Sequence, residues 1–163
     1  LKSAWPPRPP VGAMGGAGAA DAVQARLAAA NGAYPALWSD FLRNRLAVAG
    51  ERADALLQVL AAVPDERKDA DAWVTEADFL YIAGACSGNA AARLERALDC
   101  YARALALPDG ADNSNARRMR AETLLRLRRY GEAFEAFGEL AALPTRAAFG
   151  ALEAAPFRLR HDA

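Results

Sequence analysis

The only histidine of this 163-residue chain, His161, stands next to Asp162 in the terminal stretch "PFRLRHDA". Histidine and aspartate are the partners of general acid–base catalysis and of several metal centres, but adjacent residues point in different directions. No second histidine completes a ligand set, so His161 reads as a terminal side chain. Cys86 and Cys100 belong to no CxxC or Cys/His cluster, which removes structural zinc and a disulfide framework from the expectations. The run "GGAGA" at 15–19 follows no strand and lacks the Lys-Ser/Thr pair of a phosphate loop. No catalytic residues, metal or cofactor are expected, and the chain reads as a non-enzyme.

The sharpest charge feature is the basic cluster Arg117, Arg118, Arg120, Arg126, Arg128 and Arg129, preceded by the acidic set Asp65, Glu66, Asp69, Asp71, Glu76 and Asp78. Three chemistries fit it: a solvated face compensated by those carboxylates, a grip on an acidic protein segment, or contact with RNA. The whole chain carries 20 Lys and Arg against 20 Asp and Glu, a formal net charge of zero. That balance gives no bulk attraction to nucleic acid or to an anionic membrane. With 53% hydrophobic and 25% charged residues the chain is not disordered throughout. No apolar run reaches the roughly 20 residues of a membrane helix, so no span is expected.

Stepping from these residues to their supports, residues 1–20 form a Pro-rich and then Gly/Ala-rich arm that cannot close a core alone. Trp5 is its expected anchor, because a large amphipathic ring has the area to hold an extended segment on a partner. The proline spacing also allows a polyproline II ligand. After the arm, Ala, Leu, Arg and Glu recur with apolar positions three and four apart, and strand signals are absent. The spacing predicts eight helices. The first runs from Asp21 to about Ala30, ended by the Asn-Gly at 31 and 32. The second opens at Pro35, carries Leu37, Trp38, Phe41, Leu42 and Leu46 on its apolar stripe, and stops at Gly50. The others fall at about 51–63, 69–87, 90–107, 114–128, 130–142 and 145–154. The domain so built spans 21–155, and 156–163 is a tail. A start at Leu1 and an end at Ala163 fit a processed or excised chain.

Three segments that end in proline share a template: "ADALLQVLAAVP" (53–64), "ALDCYARALALP" (97–108) and "AFEAFGELAALP" (133–144). Ala53, Ala97 and Ala133 admit a neighbouring helix, while Leu57, Tyr101 and Phe137 fill the space beside them. Each follows another helix, so the repeating unit is a helical hairpin. With Ala121, Leu124, Tyr130, Ala133 and Phe137 in register, residues 116–144 resemble the tetratricopeptide repeat, and two weaker copies precede them. The resemblance implies an all-α fold in which antiparallel helical hairpins stack as a right-handed superhelix with a concave groove.

The resemblance also implies the groove-facing residues. They are Asn115, Arg118, Glu122, Leu125 and Arg126 in the last unit, and Phe79, Ile82 and Cys86 in the middle one. An apolar floor with a basic rim suits an amphipathic or acidic protein segment, because guanidinium forks match carboxylates. Ala83 and Met119 stand where the chaperone-tail clamp of that family needs asparagine or arginine, so that ligand is not expected. In this register Cys86 and Cys100 face different ways and form no disulfide. The expected function is a protein–protein interaction scaffold or adaptor within a larger complex, in a reducing compartment, cytoplasmic or organellar. Its alternatives are an N-terminal module of an enzyme that continues beyond Ala163 and an RNA-binding helical array. Nucleic acid is not the expected partner.

Overall fold

A computed structural model of the chain describes residues 16–142 apart from Asn89, and every regular element among them is helical. The helices are α1 Gly16–Leu42, α2 Leu46–Ala61, α3 Ala70–Cys86, α4 Ala91–Ala106, α5 Ser114–Arg126 and α6 Tyr130–Ala141, with one 3-10 turn at Asp65–Arg67. The chain is therefore all-α, as its periodicity requires. The expected helix at 145–154, the tail, Trp5 and His161 lie outside the described residues. Helix starts with a capping side chain are where the sequence puts them. Asp69 accepts from the Ala72 N–H at 2.8 Å ahead of α3, and Asn113 accepts from the Ala116 N–H at 2.9 Å ahead of α5.

The break expected at Asn31-Gly32 and the start expected at Pro35 are both corrected, because α1 runs unbroken through them and begins at Gly16, inside the expected arm. Interior Pro costs about 3 kcal/mol and interior Gly about 1 kcal/mol. Against that, Ala30, Leu37, Trp38 and Phe41 are buried on one side of the helix, and a large apolar side chain contributes about 1.5–3 kcal/mol on burial. Packing outweighs the local signals. Gly50 is likewise inside α2 rather than at its end. A Cβ there would come within 3.2 Å of the Cys86 Cβ, so this glycine lets α2 approach α3 closely.

Consecutive helices pack as hairpins, α2 also packs on α3 and α4 on α5, and α3 touches both α1 and α5. Helices α1, α3 and α5 thus share one side of the molecule, with α3 in the middle. The first and last hairpins turn in the same way. Asn44 and Arg128 take left-handed backbone, with φ of 57° and 60°. The next N–H, of Arg45 or Arg129, donates five residues back to the Asp40 or Leu124 carbonyl at 2.9 and 3.0 Å. Counted from the first residue of each second helix, the counterpart of Ala133 in α6 is Ala49 in α2 and Leu94 in α4. The proline-anchored template is therefore displaced, because α2 and α4 each have 16 residues and α6 has 12. The displacement is about one helical turn, which keeps the same face inward: Ala53, Ala97 and Ala133 are all fully buried.

The link from α4 to α5 is held tightly at Gly110, where a Cβ would lie 2.0 Å from the Ala104 carbonyl oxygen and 2.7 Å from the Ala70 Cβ. Gly138, inside α6, has nothing within 4 Å of such a Cβ. Chemical denaturation should therefore find Gly110→Ala destabilised by about 2–3 kcal/mol or more, the scale of overpacking. Gly138→Ala should be stabilised by about 0.5–1 kcal/mol, the helix-propensity gain. Equal effects at the two glycines would contradict this packing.

Candidate ligand-binding cleft

A cavity of about 460 Å³ opens between α1 and α5. Helix α1 lines it with Tyr34, Pro35, Trp38, Ser39 and Leu42; Arg43 follows at the turn, and α5 adds Asn115 and Arg118. The wall from α1 exists because positions 34, 38 and 42 recur every fourth residue, which places them on one helix face. The rings are fixed from behind by α3. Trp38 stacks on Tyr81 with centroids 6.4 Å apart and meets Phe41 edge-on at 5.8 Å, while Tyr34 lies 6.2 Å from Phe79.

The opposite wall is a polar network on one turn of α5. Arg118, 7% exposed, donates from one terminal nitrogen to Glu122 and from the other to Asn115 Oδ1 at 3.0 Å. Its Nε–H has no acceptor, and neither has the indole N–H of Trp38. That indole is close enough to Tyr34 to act on its hydroxyl, but not in hydrogen-bond geometry. An unmade bond of this kind costs about 1–3 kcal/mol in a buried group. No carboxylate lines the cavity, whereas two arginines do.

Beneath the cavity, Asp78 of α3 is 0% exposed. Its two carboxylate oxygens accept from Tyr34 of α1 at 2.5 Å and from Tyr101 of α4. Burial pushes its carboxyl up to about 6; the Tyr101 and Tyr34 hydroxyls and the charge of Arg118 oppose that rise, and Glu122 adds to it. Both tyrosine hydroxyls are pushed above their usual range, by burial first and then by the adjacent carboxylate.

The structure brings together Asn115, Arg118 and Glu122 of the expected site. Arg126 lies beside them but is engaged with Tyr81, donating from Nε to the hydroxyl at 2.7 Å with its guanidinium over the ring at 4.9 Å. Leu125 is 43% exposed. Phe79 and Ile82 are corrected: both are fully buried, so they form core under α1 and not an exposed floor. Cys86 packs towards Gly50 of α2, outside the cavity lining, and burial raises its thiol. Trp5 is outside the described residues. Of the acidic residues expected to compensate the arginine cluster, Asp78 is acted on by Arg118, but Asp65 and Glu76 are corrected. Arg129 pairs with Glu132 and Glu95 at 2.5 and 3.0 Å, whereas Asp65 and Glu76 are taken by Lys68, with Arg103 also on Asp65. Sequence reasoning missed the contribution of α1 because it cut the helix at Asn31 and Pro35. The fourfold spacing of Tyr34, Trp38 and Leu42 was the available signal.

A second cavity of about 630 Å³ lies among α2, α3 and α4. Its charges are already matched: Lys68 with Glu76 at 2.7 Å, Arg93 with Asp54 at 2.7 Å and Arg96 with Glu76 at 3.8 Å. Its larger volume is thus lined by satisfied groups, and we take the α1–α5 cleft as the candidate site. Among the described residues no cluster of three or more His, Cys, Asp or Glu is placed to hold a metal ion, and no helix is long and apolar enough to cross a membrane. Comparison with protein-family models, curated proteins and solved structures finds no match to the chain.

The titration of Asp78 has a defined sign. Its folded value of about 6 lies above the usual carboxyl value of about 3.9. Between these the folded state holds a proton that the unfolded state does not, so this contribution is complete below about pH 4 and is lost as pH rises through 6. Stability measured by urea should fall by about 2–3 kcal/mol from pH 4 to 6.5 on account of Asp78. Asp78→Asn should remove most of that slope whatever its own stability. An unchanged slope would show that Asp78 titrates normally.

Proposed function

We propose that the chain is a non-catalytic interaction scaffold of three stacked tetratricopeptide-like hairpins, and that it takes an amphipathic or acidic segment of a partner protein in the cleft between α1 and α5. The observation that carries this reading is the cleft's composition: an aromatic wall from α1 with Arg43 at its end, Arg118 of α5 on the other side, and no lining carboxylate. Its volume of about 460 Å³ falls in the range of about 300–1,000 Å³ typical of ligand pockets. That is room for one large anchor side chain, the kind of buried contact that dominates peptide affinity.

Supporting observations come from the fold. Neighbouring hairpins place α1, α3 and α5 on a common side, and the recurring turns at Asn44 and Arg128 make the first and third hairpins alike in backbone. In the lining, Leu42 is 39% exposed, apolar area that a bound helix or strand would cover. A guanidinium beside that area matches a carboxylate next to a bulky apolar residue. Membership of a larger complex and docking through Trp5 belong to the same proposal.

Selection from a peptide library displayed on phage tests it. The peptides retained should carry a large apolar residue within one or two positions of Asp or Glu. Ser39→Trp, which fills the cavity from its half-exposed wall, should weaken them at least tenfold, and so should Arg43→Glu. Selected peptides that bind Ser39→Trp as well as the parent chain would overturn the cleft as the binding site.

A further inference from the structure

Both walls of the cleft are tied to one buried carboxylate. Tyr34 lines the cavity from α1 and donates to Asp78 at 2.5 Å. Arg118 lines it from α5, and its charge acts on Asp78. We propose that the cleft binds its anionic ligand together with a proton taken up at Asp78, so that binding strengthens as the medium becomes acidic. The proposal rests on the cleft being the binding site and adds how that site is regulated.

The physical argument concerns the competition for one guanidinium. Arg118 is the cation that acts on Asp78, and it is already shared with Glu122 and Asn115. An incoming carboxylate that draws on the same positive charge leaves Asp78 with less compensation in a site with no exposure to water. A buried carboxyl that loses compensation protonates. Protonated Asp78 keeps an acceptor oxygen and gains an O–H donor, so it can remain bonded to both tyrosines, each of which can accept as well as donate. The step balances simply: one proton moves from solvent to an Asp78 oxygen as one anionic group enters the cleft.

The groups around Asp78 leave it as the acceptor of that proton. From α1 it meets Tyr34, from α4 Tyr101, and from α5 Arg118 and Glu122. On α3 itself Tyr81 is the nearest ionisable ring and is engaged by Arg126. Helix α2 packs along α3 from Gly50, which faces Cys86, to the stretch 54–61 that shares a cavity with Glu76 and Leu80, and no α2 group is among those that act most strongly on Asp78. The tyrosine hydroxyls are held protonated by burial and by Asp78, so they keep their protons when a ligand binds. Glu122 accepts directly from Arg118.

The test uses the full chain and 3-phenylpropionate, an apolar body with one carboxylate, with 3-phenylpropionamide as its neutral counterpart. Binding is read at the indole N–H resonance of Trp38 at pH 5.5 and pH 7.5. The acid should bind about sixfold more tightly at the lower pH, the effect of roughly one pKa unit of coupling over this range, and the amide should show no such change. Asp78→Asn should abolish the pH dependence, while His161→Gln should leave it intact. Calorimetry at pH 6 in two buffers of different ionisation enthalpy should show proton uptake in the parent chain and none in Asp78→Asn. If the acid shifts Trp38 equally at both pH values, or Asp78→Asn keeps the dependence, the coupling is wrong while the cleft still binds. If neither compound shifts Trp38 at either pH, the cleft reading fails with it.

Discussion

Helix α3 has almost no solvent face. From Ala72 to Gly84 every residue is buried, including Thr75, Glu76 and Asp78. A helix in that position must satisfy its polar side chains from its neighbours, and this constraint organises the rest of the molecule. Asp78 takes hydroxyls from α1 and α4, Thr75 donates to Asn31 of α1 at 3.2 Å, and Glu76 takes Lys68 and, at longer range, Arg96. The bonds to Tyr34, Asn31 and Tyr101 also set the positions of α1 and α4. Buried groups satisfied this completely specify one arrangement, because any alternative packing would strand a charge at several kcal/mol.

The same constraint separates the two cavities. On the α2–α4 side the charges needed to satisfy Glu76 and Asp54 also line the space, so it is filled electrically before any ligand arrives. Lys68 and Arg103 there also lie over the Trp73 ring at 4.4 and 4.7 Å, which uses the cations as part of the core. On the α1–α5 side the carboxylates sit below or beside the cavity rather than in its lining. Arg118 is committed through its terminal nitrogens, yet it and Trp38 keep an N–H without an acceptor. That asymmetry, not size, makes the smaller cleft the better candidate.

Much of this was readable in the residues. The apolar period of three and four predicted helices among the described residues, and those expected from about 69 and 114 start close to there. Arg118, Glu122 and Asn115 were grouped by the resemblance to the repeat family, and their spacing of three and four does put them on one helix face. What was not legible turned on the balance between local and tertiary energies. Asn31-Gly32 and Pro35 are genuine helix-breaking residues, and α1 runs through them because its far side is buried on α2 and α3. Once the helix is cut there, Tyr34 falls in the break and no longer reads as part of one wall with Trp38 and Leu42. The alanine template failed in a different way: it tracked a helix face correctly but misplaced its counterparts by about a turn, since a face repeats nearly every four residues and alanine is abundant.

The sequence by itself determined the class of the fold and the approximate places of helices α3 to α6, because each follows from short-range periodicity and breaks along one chain segment. Only the tertiary structure decided that α1 is a single helix, that Phe79 and Ile82 are core, and that Asp78 joins Tyr34 to Tyr101 beneath the cleft. Those facts depend on contacts between residues 23 and 44 positions apart in the chain. Their free energy comes from burial and from satisfying a carboxylate removed from water, and no local pattern encodes which distant partner will do so.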